Sequence, residues 1–326
     1  MLEHGGNLRH AAKQYDIPLD AWLDLSTGIN PNQYPIPTIP NTAWQWLPEN
    51  NDGLIEAACE YYGCESLLPT AGTQAAIQVL PQLRPPCHIA MPKNMYQEHA
   101  LAWQRNGHLV TLLETLQRDL PQTIDVLLLC NPNNPTGARY SKEQLLTWHQ
   151  QLASRSGWLI IDEAFIDATP EESLSSQTHL SGLFVLRSLG KFFALAGARV
   201  GFLLGKKSIL TRAEELLGPW PISGASRYIA RHALQNHAWQ NATRKTLLDN
   251  SQQLKNLLHQ YGLTPHGGTD LFQYVSHSNA HAIHDGLAMR GVWVRLFKDN
   301  PALRFGLPVN NQWNKLEKAL KAITID

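Results

Sequence analysis

An α/β fold, with a mostly parallel central sheet in a large domain and a smaller α+β domain behind it, is predicted by three features of the 326-residue sequence. Stretches with a period near 3.6 alternate with short apolar runs bounded by turn residues, the pattern of strands covered by helices. The runs VLLLC (126–130) and WLII (158–161) are apolar throughout, as strands buried on both faces are. Beyond GPWP (218–221) the runs shorten and helices dominate, which marks a second domain.

Along the chain, residues 53–62 read as a helix, and residues 73–83 as another entered from the turn PTAG (69–72). The strand at 126–130 runs into the turn-rich NPNNPTG (131–137). Ser141 then opens a helix, with Gln144 three residues on completing a capping box. Strands follow at WLII, LFVLR (183–187) and RVGFLLG (199–205), and their connections imply parallel pairing. After the junction come helices near 225–261 and 279–290, with short strands near 271–275, 292–297 and 303–305. The expected division is an arm at 1–30 that joins the small domain and the substrate site, a large domain at 31–218 and a small domain at 219–326.

Lysine and arginine total 27, as do aspartate and glutamate, so no net field favours nucleic acid or an acidic bilayer. No apolar run approaches the roughly 20 residues of a membrane-spanning helix. The amino terminus, MLEHGGNLRH, lacks the cationic and apolar regions of an export signal, and the expected location is the cytoplasm. Cys59, Cys64, Cys87 and Cys130 form no CxxC pair and are expected to be reduced. Fourteen histidines occur without HExxH or clustered Cys/His spacing, so no metal is expected.

The stretch SLGKFFALAGARVG (188–201) carries the most chemistry. Lys191 follows a strand and is surrounded by apolar and small residues, with Arg199 eight positions on. Desolvation and a nearby cation both lower an amine's pKa and make it the nucleophile that Schiff-base chemistry needs. Asp162 ends WLIID at the sheet edge where ligands collect, and could keep a pyridine nitrogen protonated. Asn134 can donate an amide hydrogen bond to a phenolic oxygen. Gly72, Thr73 and Gln74 open a helix whose amide groups suit a phosphate.

In this order and spacing these segments resemble the fold-type I pyridoxal phosphate enzymes of the aspartate aminotransferase superfamily, over essentially the whole chain. The resemblance implies that Lys191 carries pyridoxal 5'-phosphate, Asp162 pairs with the ring nitrogen and Asn134 meets the phenolic oxygen. It further implies that Thr73, Gln74, Ser188 and Arg199 hold the phosphate and that Tyr96, in MYQEH, stacks on the ring. HGGNLRHAAKQY and LDLSTGINP, with His4, Gly5, Gly6, Gly28 and Asn30, narrow the resemblance to the bacterial threonine-phosphate decarboxylases of cobalamin synthesis, relatives of histidinol-phosphate aminotransferase. Phe165, in DEAF, fits that branch, because the aminotransferases usually carry tyrosine there.

On the same likeness Arg304, in ALRFGLP, grips an α-carboxylate as a bidentate fork, and Arg295, in VWVRLF, meets a phosphate with help from His4. Many relatives place a tyrosine near Asp52 that reaches a neighbouring subunit's cofactor; none is present here, so that contribution stays unassigned. The expected activity is decarboxylation of L-threonine O-3-phosphate by a homodimer with a small-molecule substrate. A histidinol-phosphate-type aminotransferase and a non-catalytic phosphate-binding or assembly module are the alternatives. The motifs do not choose between loss of carbon dioxide and transamination, which depends on the Cα bond held perpendicular to the ring.

Overall fold

Seven strands form the main sheet of the computed structural model, which describes residues 4–323. They are β1 (Leu67–Thr70), β2 (His88–Pro92), β3 (Leu109–Leu113), β4 (Val126–Cys130), β5 (Trp158–Asp162), β6 (Leu183–Ser188) and β7 (Gly201–Leu204). Their spatial order is β1-β7-β6-β5-β4-β2-β3. The five strands from β6 to β3 are parallel, while β7 is antiparallel to both β6 and β1. Central β4 and β5 bury almost every side chain, in keeping with their unbroken apolar sequence. Parallel β4, β5 and β6 end at one sheet edge, so Asn131, Asp162 and Ser188 sit at neighbouring strand ends.

Helices precede, connect and follow these strands: α1 (Leu54–Tyr62), α2 (Thr73–Val79), α3 (Glu98–Arg105), α4 (Lys142–Ala153), α5 (Lys207–Leu217) and α6 (Gly224–Gln235). Ser141 Oγ caps α4 by accepting the Gln144 amide at 3.2 Å, as the capping box predicts. The expected helix at 73–83 changes to a 3-10 turn over Leu80–Leu83, since Pro81 has no amide to continue the α pattern. The expected turn at 69–72 is half strand: Pro69 and Thr70 pair with Phe202 and Gly201 on an antiparallel edge, where proline is tolerated.

Compact units divide elsewhere than at 218–221. One gathers Tyr34–Asn134 and Arg139–Asn241; the other gathers the described residues of Met1–Gln33, Pro135–Ala138 and Ala242–Asp326. The boundary therefore falls inside α7 (His237–Gln260), and GPWP only separates α5 from α6 within the larger unit. Proline and glycine stop a helix locally; the unit boundary depends on what each helix packs against, which local sequence does not state. Near α6, the Arg227 guanidinium forks onto Asp52 Oδ1 and Oδ2 at 2.8 and 2.7 Å. Burial raises the Asp52 carboxyl, but the Arg227 bonds and the Leu54 amide outweigh it and hold it below the usual range.

Beneath the β5 and β6 ends lies a buried charge cluster that the sequence reading did not identify. Arg187 Nη1 donates to Glu163 Oε2 at 3.1 Å, Ser173 Oγ at 2.9 Å and Ser175 Oγ at 3.0 Å, and Nη2 pairs with Asp167. The guanidinium also lies 4.4 Å over the Tyr62 ring, while Tyr61 donates its hydroxyl to Asp167 at 3.1 Å. Burial works against the charge on Arg187, yet Asp167 and Glu163 raise its pKa above the ordinary value.

In the smaller unit, β8 (Gly267–Thr269), β9 (Phe272–Ser276), β10 (Arg295–Phe297) and β11 (Ala302–Gly306) form an antiparallel sheet in the order β10-β11-β9-β8. Leu23–Asp24 pairs in parallel with Val292–Trp293, which fastens the amino-terminal segment to this unit. Trp22, Trp293 and Tyr15 pack edge to face beside that pair. Pro135–Ala138 belongs here because a Cβ at Gly137 or Gly267 would overlap the opposing backbone, so only glycine permits the approach.

Removing Arg187 strands two buried carboxylates. Arg187→Ala is expected to cost about 3–5 kcal/mol in unfolding free energy, measured by urea denaturation. A change below about 1 kcal/mol would mean that Glu163 and Asp167 do not depend on it.

Candidate active site

In the larger unit the site is built at the carboxyl ends of the parallel strands. Asp162 ends β5 and is 6% exposed; its Oδ1 accepts the Ala164 amide at 3.0 Å and its Oδ2 meets His99 Nε2 at 2.9 Å. His99, on α3, is fully buried, and its Nδ1 has no partner among the described residues. A carboxylate only accepts, so Nε2 is the donor to Asp162. His99 was not singled out in the sequence. Its signal is the helical spacing from Tyr96 in YQEH, and the two rings do meet edge to face, 6.1 Å between centroids.

Cys130 ends β4 next to Asp162, and the donor atoms of His99, Cys130 and Asp162 lie within 4.8 Å of one another. Burial, then the Asp162 charge, raise the Cys130 thiol well above its ordinary pKa, and the amides of Tyr96 and Asn134 point at its sulfur. Tyr96 is half-buried, and burial, Glu98, Asp162 and Cys130 push its hydroxyl up to about 12. Asn134 is half-buried at the end of the turn that follows β4.

The turn from β6 to β7 carries the lysine. Ser188 Oγ accepts the Gly190 amide at 3.1 Å, tightening the turn, and the half-buried Lys191 has its Nζ 5.2 Å from the centroid of the Phe165 ring. Downstream, Ala194 and Arg199 take left-handed backbone conformations, at φ 54° in both. These turns bring the Arg199 guanidinium over Gly72: a Cβ there would lie 2.6 Å from Nη2. Gly201 packs as closely, since its Cβ would stand 2.6 Å from the Thr73 nitrogen. Arginine, the α2 amino terminus and Thr73 are thus gathered by two glycines, while Gln74 donates to Glu98 at 3.2 Å.

The smaller unit holds the two other arginines. Arg295 and Arg304 are directly paired in register across β10 and β11, which puts both side chains on one face. Arg304 is buried, donates to the Ser26 carbonyl at 2.7 Å and lies 5.1 Å over the Phe272 ring. Burial, then Arg295, lower its pKa to about 10, against Asp24, which raises it. Two cations so placed favour an anion between them. Arg295 donates to the His4 carbonyl at 3.2 Å, Gly6 donates to Ser26 Oγ at 2.6 Å, and a Cβ at Gly5 would overlap the Ser26 carbonyl. Gly28 adopts a left-handed conformation at φ 63°.

Residues 48–323 match the family model described as aminotransferase class I and II. The chain belongs to this family. It is 49% identical over 322 residues to a threonine-phosphate decarboxylase of Pseudomonas aeruginosa, covering 98% of this chain and 97% of that one. A threonine-phosphate decarboxylase of a Sinorhizobium species is 36% identical, covering 94% and 93%. Among solved structures, histidinol-phosphate aminotransferase from Sinorhizobium meliloti, in complex with pyridoxal-5'-phosphate, superposes with a TM-score of 0.85 at 16% identity, covering 99% and 96%. That likeness establishes the fold.

The larger unit's residues fit this family's coenzyme. A buried carboxylate whose hydrogen bonds among the described residues come from a histidine and an amide suits a protonated ring nitrogen. The cradle at Gly72, which any Cβ would fill, suits a phosphate beside Arg199 and Thr73.

Two outcomes test the site. Gly72→Ala pushes Arg199 aside and should raise the dissociation constant for pyridoxal phosphate about tenfold, read by fluorescence titration. Because the Tyr96 pKa is raised in the folded state, its contribution to stability is complete below pH 10 and declines as pH climbs toward 12. In a spectrophotometric titration, Tyr96→Phe should remove a tyrosine that ionises late, leaving the wave near pH 10 unchanged.

Proposed function

We propose that the chain decarboxylates L-threonine O-3-phosphate to (R)-1-aminopropan-2-yl phosphate, with pyridoxal 5'-phosphate as coenzyme. The observation that carries this reading is the 49% identity to a threonine-phosphate decarboxylase along nearly the full length of both chains. Phe165 supports it: the ring near Lys191 Nζ has no hydroxyl with which to bond a phenolic oxygen.

When bound, the coenzyme supplies an aldehyde for the substrate amine and a ring that withdraws electrons from Cα. Asp162, oriented by His99 and the Ala164 amide, would hold the proton on the ring nitrogen. Asn134 would donate to the phenolic oxygen, Tyr96 would cover a ring face, and Gly72, Thr73, Gln74, Ser188 and Arg199 would hold the phosphate. Lys191 would hold the coenzyme's aldehyde, and its amine would be the group that moves a proton at Cα. Arg304 takes the substrate carboxylate, and Arg295 takes its phosphate with His4 and the Gly5 and Gly28 backbone. The orientation that Arg304 and Arg295 would impose on the substrate would decide which bond at Cα breaks.

The product's place is cobalamin synthesis, in the cytoplasm. The working form is a homodimer. Trp44, Trp46 and Leu47 are each about two-thirds exposed, and Trp220 is more than half exposed, an apolar surface that suits a second copy. No helix of the described residues is long and apolar enough to cross a membrane.

The deciding assay is carbon dioxide release from L-threonine O-3-phosphate without a keto acid, with the amine product identified. Consumption of 2-oxoglutarate with histidinol phosphate, and no carbon dioxide from phosphothreonine, would replace the reading by an aminotransferase. Lys191→Ala should lower turnover roughly 10³-fold or more. Arg304→Ala should raise KM about 10- to 100-fold.

A further inference from the structure

Helix α1 ends at Tyr62, and Gly63 closes it at φ 64°, a left-handed conformation that glycine adopts without strain. The Gly63 amide reaches the Glu60 carbonyl at 3.3 Å and the Cys64 amide reaches the Cys59 carbonyl at 3.1 Å. This reversal folds Cys64 back over the last helical turn, so that the side chains of Cys59 and Cys64 occupy the two positions that face each other at such a helix end. A side-chain contact between these positions is usual at such helix ends and is ordinarily hydrophobic. Here both partners are sulfur, so the contact can become a bond.

The thiols differ in access: Cys59 is partly exposed and Cys64 is buried. The neighbouring Cys64 thiol favours a lowered pKa at Cys59, against burial and Glu56, while Cys59 and burial push Cys64 up. Cys59 is therefore the nucleophile that solvent reaches, and Cys64 the thiol waiting behind it. Between them lie Tyr61, bonded to Asp167, and Tyr62, stacked beneath Arg187. Arg187 also bears on Cys64 electrostatically.

We propose that Cys59 and Cys64 are a redox-active dithiol, oxidised to an intramolecular disulfide by a low-molecular-weight disulfide such as oxidised glutathione. Cys59 Sγ, as thiolate, attacks one sulfur of the oxidant; that disulfide breaks and one glutathione thiolate leaves. Cys64 then gives up its proton and attacks Cys59 Sγ, expelling the second glutathione thiolate. Two protein thiols are oxidised, one glutathione disulfide is reduced, and two protons go to solvent. The closed bridge pins Tyr61 and Tyr62, and hence the residues that support the β5 and β6 ends.

The experiment treats the coenzyme-loaded, full-length protein with excess oxidised glutathione, then alkylates it under denaturing conditions and digests it with a glutamate-specific protease. Cleavage after Glu56, Glu60 and Glu65 separates the cysteines into peptides 57–60 and 61–65. The expected result is a joined pair of these peptides, loss of alkylation at both cysteines, and recovery of both on reduction. Cys64→Ser should leave one glutathione held on Cys59. Full alkylation of both cysteines in the parent protein, or a stable glutathione adduct on Cys59 that never closes, overturns the proposal.

Discussion

A carboxylate buried at the end of a parallel strand is the constraint on which the larger unit's site depends. Taking a charge out of water is costly unless hydrogen bonds or an opposite charge replace the solvent. Among the described residues, Asp162 is hydrogen-bonded by a histidine and one amide. Salt-bridging it to a lysine or arginine would satisfy it fully, and would leave nothing for a protonated ring nitrogen. His99 solves this by orienting the carboxylate without adding a second strong cation, and it is anchored on α3 by complete burial.

That arrangement survives because the charges nearby are sequestered. Arg187, one residue before Ser188, and Glu163, one after Asp162, point into a separate cluster with Asp167, Ser173 and Ser175. Alternation along a strand sends neighbours to opposite faces. The same strand ends therefore present Asp162 and Ser188 toward the site and keep a full ion pair on the other side. The two functions need each other, since a β5 end free to shift would lose the His99 contact.

In the smaller unit the balance is reversed, with cations in excess. Arg304 lies in a buried place that lowers its pKa, across from a second arginine. Antiparallel register enforces that proximity, and like charges facing each other weaken a sheet unless an anion joins them. The His4 carbonyl and the Ser26 carbonyl supply partial negative charge to these guanidiniums. Gly5 and Gly6 allow the arm to lie close enough to do so.

Local chemistry decided much of this protein in advance. Apolar runs specified β4 and β5, the Ser141 cap specified the start of α4, and the glycines at 72 and 201 had to be where backbone and guanidinium crowd together. The places of Lys191, Asp162 and Asn134 in the fold were legible because each lies at or just beyond the end of a strand whose pattern is plain. His99, Cys130 and the Arg187 cluster were not, because burial of a polar side chain is a property of what packs over it from distant segments. The unit boundary inside α7 and the antiparallel turn of β7 escaped for a like reason: periodicity records which face of an element is apolar, whereas only the assembled chain determines which element that face meets.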